Sequence, residues 1–192
     1  MKDTLSSFEL RFLVQEFKSL ENGRIDKIYL KDKSFLFTFY VPGKGKKMLK
    51  INLPGQCYLT EFKENYDMDM HGFCKFLRKK IGGARLESVE QKGFERIIVF
   101  TFTTKDSTYK MIVELFSNGN IVLCDEENKI ISAFDNKNWG VRTVRGGITY
   151  EFPPKQVNTT ELIEDEFTKI IKESKRDSIV KKIKGVLFAE PR

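Results

Sequence analysis

Histidine is nearly absent from this sequence, cysteine is sparse and odd in number, and no apolar run is long. Each shortage removes a class of function. His71 is the only histidine in 192 residues, so a histidine-rich metal cluster or a Ser-His-Asp triad would have to be built around one residue at a helix start. The plainer role for His71 is a partly exposed helix-start side chain. Cys57, Cys74 and Cys124 are far apart and form no CxxC pair, which leaves structural zinc without its usual signature and implies no disulfide framework. Reduced core thiols of a cytosolic protein are expected. No GxxxxGK[ST] run offers a phosphate cradle. The N-terminal stretch MKDTLSSFELRF lacks the ~7–15-residue apolar stretch of a signal peptide, and no segment approaches the ~18 apolar residues of a membrane span. A soluble, cytoplasmic protein with no membrane partner is expected.

Large apolar side chains are plentiful. Seventeen phenylalanines and 40% apolar residues supply enough buried surface to offset the chain entropy lost on folding. The formal charge of +7 and pI near 9.2 favour an anionic partner by long-range attraction, without choosing between RNA, DNA and an acidic membrane.

Ser6 with Glu9 three residues later is a capping-box pattern, and Leu10, Leu13, Phe17 and Leu20 follow at helical spacing toward Asn22-Gly23. From Ile25 to Thr60 the period becomes two, with Phe35, Phe37, Phe39 and Val41 alternating against Leu36, Thr38 and Tyr40, and a hairpin turn at Pro42-Gly43-Lys44-Gly45. A second helix is expected from Met70 to Ile81, stopped by Gly82-Gly83. Short β-rich runs follow at Arg85 to Gln91, Arg96 to Thr103, Tyr109 to Phe116, Asn120 to Cys124 and Lys129 to Phe134, predicting a four- or five-strand meander in one layer. Helices inserted among strands, rather than alternating with them, predict an α+β fold with antiparallel, sandwich-like sheets and flanking helices. After Tyr150-Glu151-Phe152-Pro153-Pro154 the chain turns charged and helical in pattern, so the expected boundary divides residues 1–155 from a helical segment, 156–192.

Basic residues cluster at Lys44, Lys46, Lys47 and Lys50, at Arg78, Lys79 and Lys80, at Arg142 and Arg145, and at Lys181, Lys182 and Lys184. Each cluster can neutralise phosphates, and each equally suits an ordinary solvated face. Trp139, in a loop before Arg142, is either a stacking platform or a core anchor.

Several segments look familiar together. Gly72-Phe73-Cys74-Lys75-Phe76-Leu77-Arg78-Lys79-Lys80, then Arg85 to Gln91, then Glu95-Arg96-Ile97, resemble an FxxxLRKxL helix, a strand ending in Gln and an acidic-Arg pair. Gly23-Arg24-Ile25-Asp26-Lys27-Ile28-Tyr29 resembles a first strand, Leu115 to Leu123 an LFxxGNxxL hairpin, and Tyr150 to Pro154 a proline-marked domain end. In this order, across nearly all of residues 1–155, they are similar to the N-terminal domain of the NFACT family of ribosome-associated quality-control factors (RqcH/NEMF, fibronectin-binding protein A-like).

The resemblance implies a fold like the N-terminal domain of formamidopyrimidine DNA glycosylases. It also implies a binding module that engages a large ribosomal subunit obstructed by peptidyl-tRNA and recruits charged tRNA for C-terminal tailing of the stalled chain. Peptide transfer would belong to the ribosome, so no catalytic residue, metal, cofactor or small-molecule substrate is expected. The family's tRNA-recognising acids and arginine fall by local alignment on Glu9 and on Glu95-Arg96, with glutamate at both acidic positions. Arg96 offers a planar donor fork suited to phosphate or a base edge, and a neighbouring carboxylate can orient that fork. Without the resemblance, Glu9 reads as a capping partner and Glu95-Arg96 as a hairpin salt bridge. Arg78, Lys79, Arg142 and Arg145 are candidate RNA-backbone contacts.

Family members continue into a helix-two-turn-helix domain, so residues 156–192 are expected to open that domain in a truncated chain. Two other readings stand beside this one. A lesion-processing enzyme on the glycosylase-like fold would need an amine nucleophile, whereas the proline-glutamate start of the glycosylases is replaced here by Met1-Lys2-Asp3. A protein adhesion module, suggested by the historical fibronectin-binding name, would need export, and no signal segment is seen.

Overall fold

The alternation of phenylalanines in residues 35–39 builds the centre of the molecule. In the computed structural model, which describes residues 4–66, 72–138, 142–153, 158, 161–173, 178 and 180–181, these side chains lie in strand β2 and none of the three is exposed to solvent. The first helix, α1 (Ser7–Phe17), ends in a 3-10 turn (Lys18–Leu20). Four strands follow, β1 (Arg24–Lys31), β2 (Ser34–Val41), β3 (Gly45–Asn52) and β4 (Gln56–Thr60), and then helix α2 (Gly72–Ile81). A second series comprises β5 (Arg85–Gln91), β6 (Ile97–Thr103), β7 (Thr108–Glu114), β8 (Asn120–Asp125) and β9 (Ile130–Ala133). The short pair β10 (Lys137–Asn138) and β11 (Thr143–Val144) precedes helix α3 (Glu164–Glu173).

The architecture is therefore a mostly antiparallel sheet with a few helices, an α+β fold. Nine strands run in the order β4-β3-β2-β1-β5-β6-β7-β8-β9, two meanders joined through the single register pair Arg24 with Arg85. Backbone hydrogen bonds between residues 22–25 and 83–86 reinforce this joint, and the two meanders share one core. Phe39 of β2 stacks with Phe102 of β6 at 6.4 Å, and Phe35 meets Phe134 edge to face at 5.2 Å. Helix α1 adds Leu10, Val14 and Phe17 to this core, and α2 adds Phe73, Cys74, Leu77 and Ile81.

The opposite face of the second meander is covered as well. Ile97, Val99, Ile112, Val122 and Cys124 pack beneath Val144 and Tyr150. Burial on both faces explains why β6 to β8 read as nearly continuous apolar runs instead of alternating. The expected four- or five-strand meander is observed as the five strands β5 to β9, while the two-residue pair β10 and β11 is too short to leave a periodic signal. Helix α2 is described only from Gly72, so the expected start at Met70 and the residue His71 lie outside the described residues, as does Trp139.

Candidate nucleic-acid interface

The Glu95-Arg96 pair sits in the turn between β5 and β6, and local hydrogen bonds hold that turn in one shape. Lys92 N donates to Ile97 O and Glu95 N to Lys92 O, both at 3.0 Å, while Leu115 N, just past the end of β7, donates to Arg96 O at 2.8 Å. Gly93 supplies the positive φ of 56° that the turn requires. Phe94 and Glu95 are buried, and Arg96 is half-buried. Burial draws the Arg96 guanidinium below its ordinary pKa, and the Glu95 carboxylate pulls it back up.

Glu9 lies in the first turn of α1, where the capping box forms as its spacing predicts. The carboxylate accepts from Ser6 N at 2.8 Å and Ser6 Oγ at 2.7 Å, and Glu9 N donates to Ser6 Oγ at 3.2 Å. The link between Glu9 and Arg96 is Gln91. Its Nε2 donates to Ser7 O at the start of α1 and to Glu95 O in the turn, each at 2.9 Å. One side chain thus ties the helix that carries Glu9 to the turn that carries Glu95 and Arg96. A groove of about 460 Å³ opens beside this junction, lined by Arg11 and Gln15 of α1, by Lys18 of the 3-10 turn, and by Ser88, Glu90 and Gly93 on the strand side. Arg11, Gln15, Lys18 and Glu90 are exposed, so the groove offers both cationic and acidic groups to a ligand.

The other expected contacts are dispersed. Arg78 donates from Nε to Ile28 O at 2.7 Å, fastening α2 to β1, and Lys79 projects exposed from the same helix. Arg145 is exposed in the turn after β11. Arg142 is committed inward: its guanidinium pairs with Glu114, donates from Nε to Glu151 O at 2.6 Å, and lies 4.8 Å from the Tyr150 ring centroid. Sequence reading passed over two residues here. Gln91 gave only a strand-ending polar residue, and Glu114 was hidden in the apolar run Met111 to Leu115. A lone acid inside such a run was the available signal, since a buried carboxylate needs partners.

Glu114 has them. Its Oε1 accepts from Tyr150 OH at 2.7 Å as well as from Arg142, and burial together with the Glu114 charge pushes the Tyr150 phenol well above its ordinary range. This network adjoins the candidate site, because Glu114 is the register partner of Ile97, next to Arg96. Lys92 Nζ reaches over the Phe152 ring at 4.4 Å, adding a second tie between the turn and the segment after β11. Among the described residues, no group of three or more His, Cys, Asp or Glu side chains is placed to hold a metal ion. No described helix is long and apolar enough to cross a membrane.

Comparison with known proteins gives this geometry a context. The chain is 32% identical over 164 residues to the archaeal Rqc2 homolog aRqcH of Methanocaldococcus jannaschii, covering 81% of this chain and 24% of that protein. It is 27% identical over 193 residues to the ribosome quality control complex subunit NEMF of Homo sapiens, covering 98% of this chain and 18% of that one. The chain thus spans about a quarter or less of these relatives' lengths. The crystal structure of the N-terminal domain of fibronectin-binding protein PavA from Streptococcus pneumoniae shares the fold, with a TM-score of 0.80 at 24% identity over 94% of this chain and 73% of that one. The family model for NFACT N-terminal and middle domains matches residues 6–187, and the chain belongs to the NFACT family.

Proposed function

We propose that this chain is the tRNA- and large-subunit-binding part of a ribosome quality-control factor, working in the cytoplasm without a catalytic group of its own. The relative in Homo sapiens is named as a ribosome quality control complex subunit, which supports the general role. The finer reading rests on one observation: Gln91 holds the Glu9-bearing helix start and the Glu95-Arg96 turn together, uniting the residues that sequence resemblance marks for tRNA.

In this reading Arg96 presents its donor fork to a phosphate or base edge, Glu95 orients the fork, and Glu9 stands on the adjoining helix. Partial burial makes the fork stiffer and less hydrated than a surface arginine, so less freedom is lost on binding. The whole factor recruits charged tRNA to a large subunit obstructed by peptidyl-tRNA and so permits tailing of the stalled chain, with bond formation left to the ribosome. The two-meander sheet, related in this reading to the glycosylase N-terminal domain, acts as a rigid mount for the turn.

Sequencing the RNA that co-purifies with the tagged chain, beside that retained by Arg96→Ala, tests the proposal. Enrichment of tRNA that falls in the variant is expected. An undifferentiated sample of cellular RNA, equal in both proteins, would overturn it.

A further inference from the structure

A row of side chains on the sheet, at the end of β5 away from the Glu95-Arg96 turn, has no part in the site described above. Register pairs run from Lys46 to Tyr40, from Tyr40 to Arg24 and from Arg24 to Arg85. Register partners in an antiparallel ladder project to the same face with Cβ atoms about 4.5–5.5 Å apart. The four side chains therefore form one line across β3, β2, β1 and β5, crossing the Arg24–Arg85 register pair at which the two meanders join. All four are exposed, and Tyr40 is 64% accessible.

Exposure of Tyr40 is a local feature of this face. Farther along the first meander the same face is roofed by the connector after β4, where Glu64 accepts from the buried Lys50 at 2.5 Å and the Tyr66 hydroxyl lies 3.2 Å from Ser34 Oγ. That roof leaves Tyr40 open. Two carboxylates near the row, Asp26 and Glu87, accept from the hydroxyls of Thr38 at 3.2 Å and Thr103 at 2.6 Å. Arg24 donates to Gly83 O at 3.2 Å, an exposed contact that keeps the guanidinium at the surface. Exposed Lys44, in the turn between β2 and β3, extends the positive charge.

We infer that this row is a second RNA-binding surface, which takes an unpaired RNA segment with a base stacked on Tyr40 and its phosphates on Lys46, Arg24 and Arg85. An aromatic face flanked on both sides by cations matches the alternation of base and phosphate, whereas an acidic protein segment would use the cations and leave the ring without a role. The seven residues of β5 separate the row from the Arg96 turn by about 20 Å, so the two sites grip separate stretches of RNA. The inference takes RNA as partner class from the proposed function and none of that site's residues.

Fluorescence anisotropy with the whole chain, using labelled oligouridine and tRNA as separate probes, tests it. Tyr40→Ala should weaken oligouridine binding about five- to a hundredfold, the range of single-base stacking, while Tyr40→Phe stays within about twofold of the parent. Replacing Arg24 and Lys46 together by alanine should lower the salt dependence by about 0.7 for each phosphate no longer neutralised. Lys129→Ala, an exposed change elsewhere, serves as the control, and circular dichroism confirms folding of each variant. Losses for Tyr40→Ala no larger than for the control would overturn the second surface. If tRNA still binds through Arg96 in that case, only this inference falls; if the parent chain binds neither probe, the proposed function falls with it.

Discussion

The Tyr150 hydroxyl donates to Glu114 Oε1 at 2.7 Å, closing the segment after β11 onto the end of β7. Arg142 pairs with the same carboxylate, and the Arg142 and Glu114 side chains are only 10% and 2% exposed. Removing one member of such a pair strands the other charge away from water. Glu114→Ala is expected to cost about 3–5 kcal/mol of stability, and Tyr150→Phe, which deletes one hydrogen bond, about 1 kcal/mol. Urea titration of both variants checks this, and equal small losses would show that water enters and solvates Arg142.

Gly119 is expected to resist any substitution. Its φ is 70°, and an added Cβ would stand 2.7 Å from Pro54 Cα and 2.8 Å from Leu53 Cβ. The turn between β7 and β8 is thereby pressed against the turn between β3 and β4, across the shared core. Gly119→Ala combines a strained backbone with a clash against main chain, so a loss of about 2 kcal/mol or more is expected. A midpoint in urea unchanged from the parent would mean that the two turns separate at little cost.

Much of this architecture was legible from periodicity. The capping box at Ser6 and Glu9, the alternating phenylalanines of β2 and the turn at Pro42 to Gly45 are local patterns with local causes, and the structure reproduces them. The joining of Arg24 to Arg85 was not legible, because a register pair between strands separated by a helix depends on how both meanders pack. The same holds for the site. Glu9, Glu95 and Arg96 were marked by resemblance, yet Gln91, which brings them together, carries no signal until α1 is laid beside β5. Arg142 counted as a basic loop residue in sequence, and only the fold reveals the buried acid it meets.

The buried thiols make a test of the core. Cys57, Cys74 and Cys124 are all buried, and burial pushes the Cys124 thiol up to about 12 from the ordinary 9.0. Alkylation at mildly alkaline pH should be slow in the native chain and fast in denaturant, since the thiolate is the reacting form. An unfolded thiol loses its proton near 9.0 while the folded Cys124 keeps its proton until about 12. The native state therefore binds more protons in that window, and stability should fall as pH rises through it. Stability unchanged between pH 9 and 11, once other titrations are matched by a Cys124→Ala control, would contradict the assignment.

Helix α3 has no buried residue, although Phe167, Ile170 and Ile171 give it an apolar face. These three side chains are half-buried, and a helix this short with only partial burial is marginal in water. Its amides should exchange far faster than those of β6, whose apolar side chains are mostly buried. Protection equal to that of Phe100 would show that α3 docks on a surface.

Arg96 is the residue on which position and chemistry agree most closely, so its replacement is the sharpest test of the candidate site. Its backbone carbonyl is bound by Leu115 N at 2.8 Å, a contact that survives any side-chain change, and the neighbouring Ile97 and Ile98 supply the strand's core contacts. Arg96→Ala should therefore leave the fold in place while weakening tRNA binding about tenfold or more, within the roughly 1.5–3 kcal/mol typical of a hydrogen bond to a charged group. Lysine should rescue only in part, because a point charge cannot reproduce a bidentate fork. If Arg96 serves only as an ion pair with the buried Glu95, alanine should lower stability and should alter tRNA binding no more than Lys129→Ala does. Measuring the three variants at one salt concentration separates the outcomes, since a general loss of positive charge lowers Arg96→Ala and Lys129→Ala alike, whereas a specific contact lowers Arg96→Ala alone.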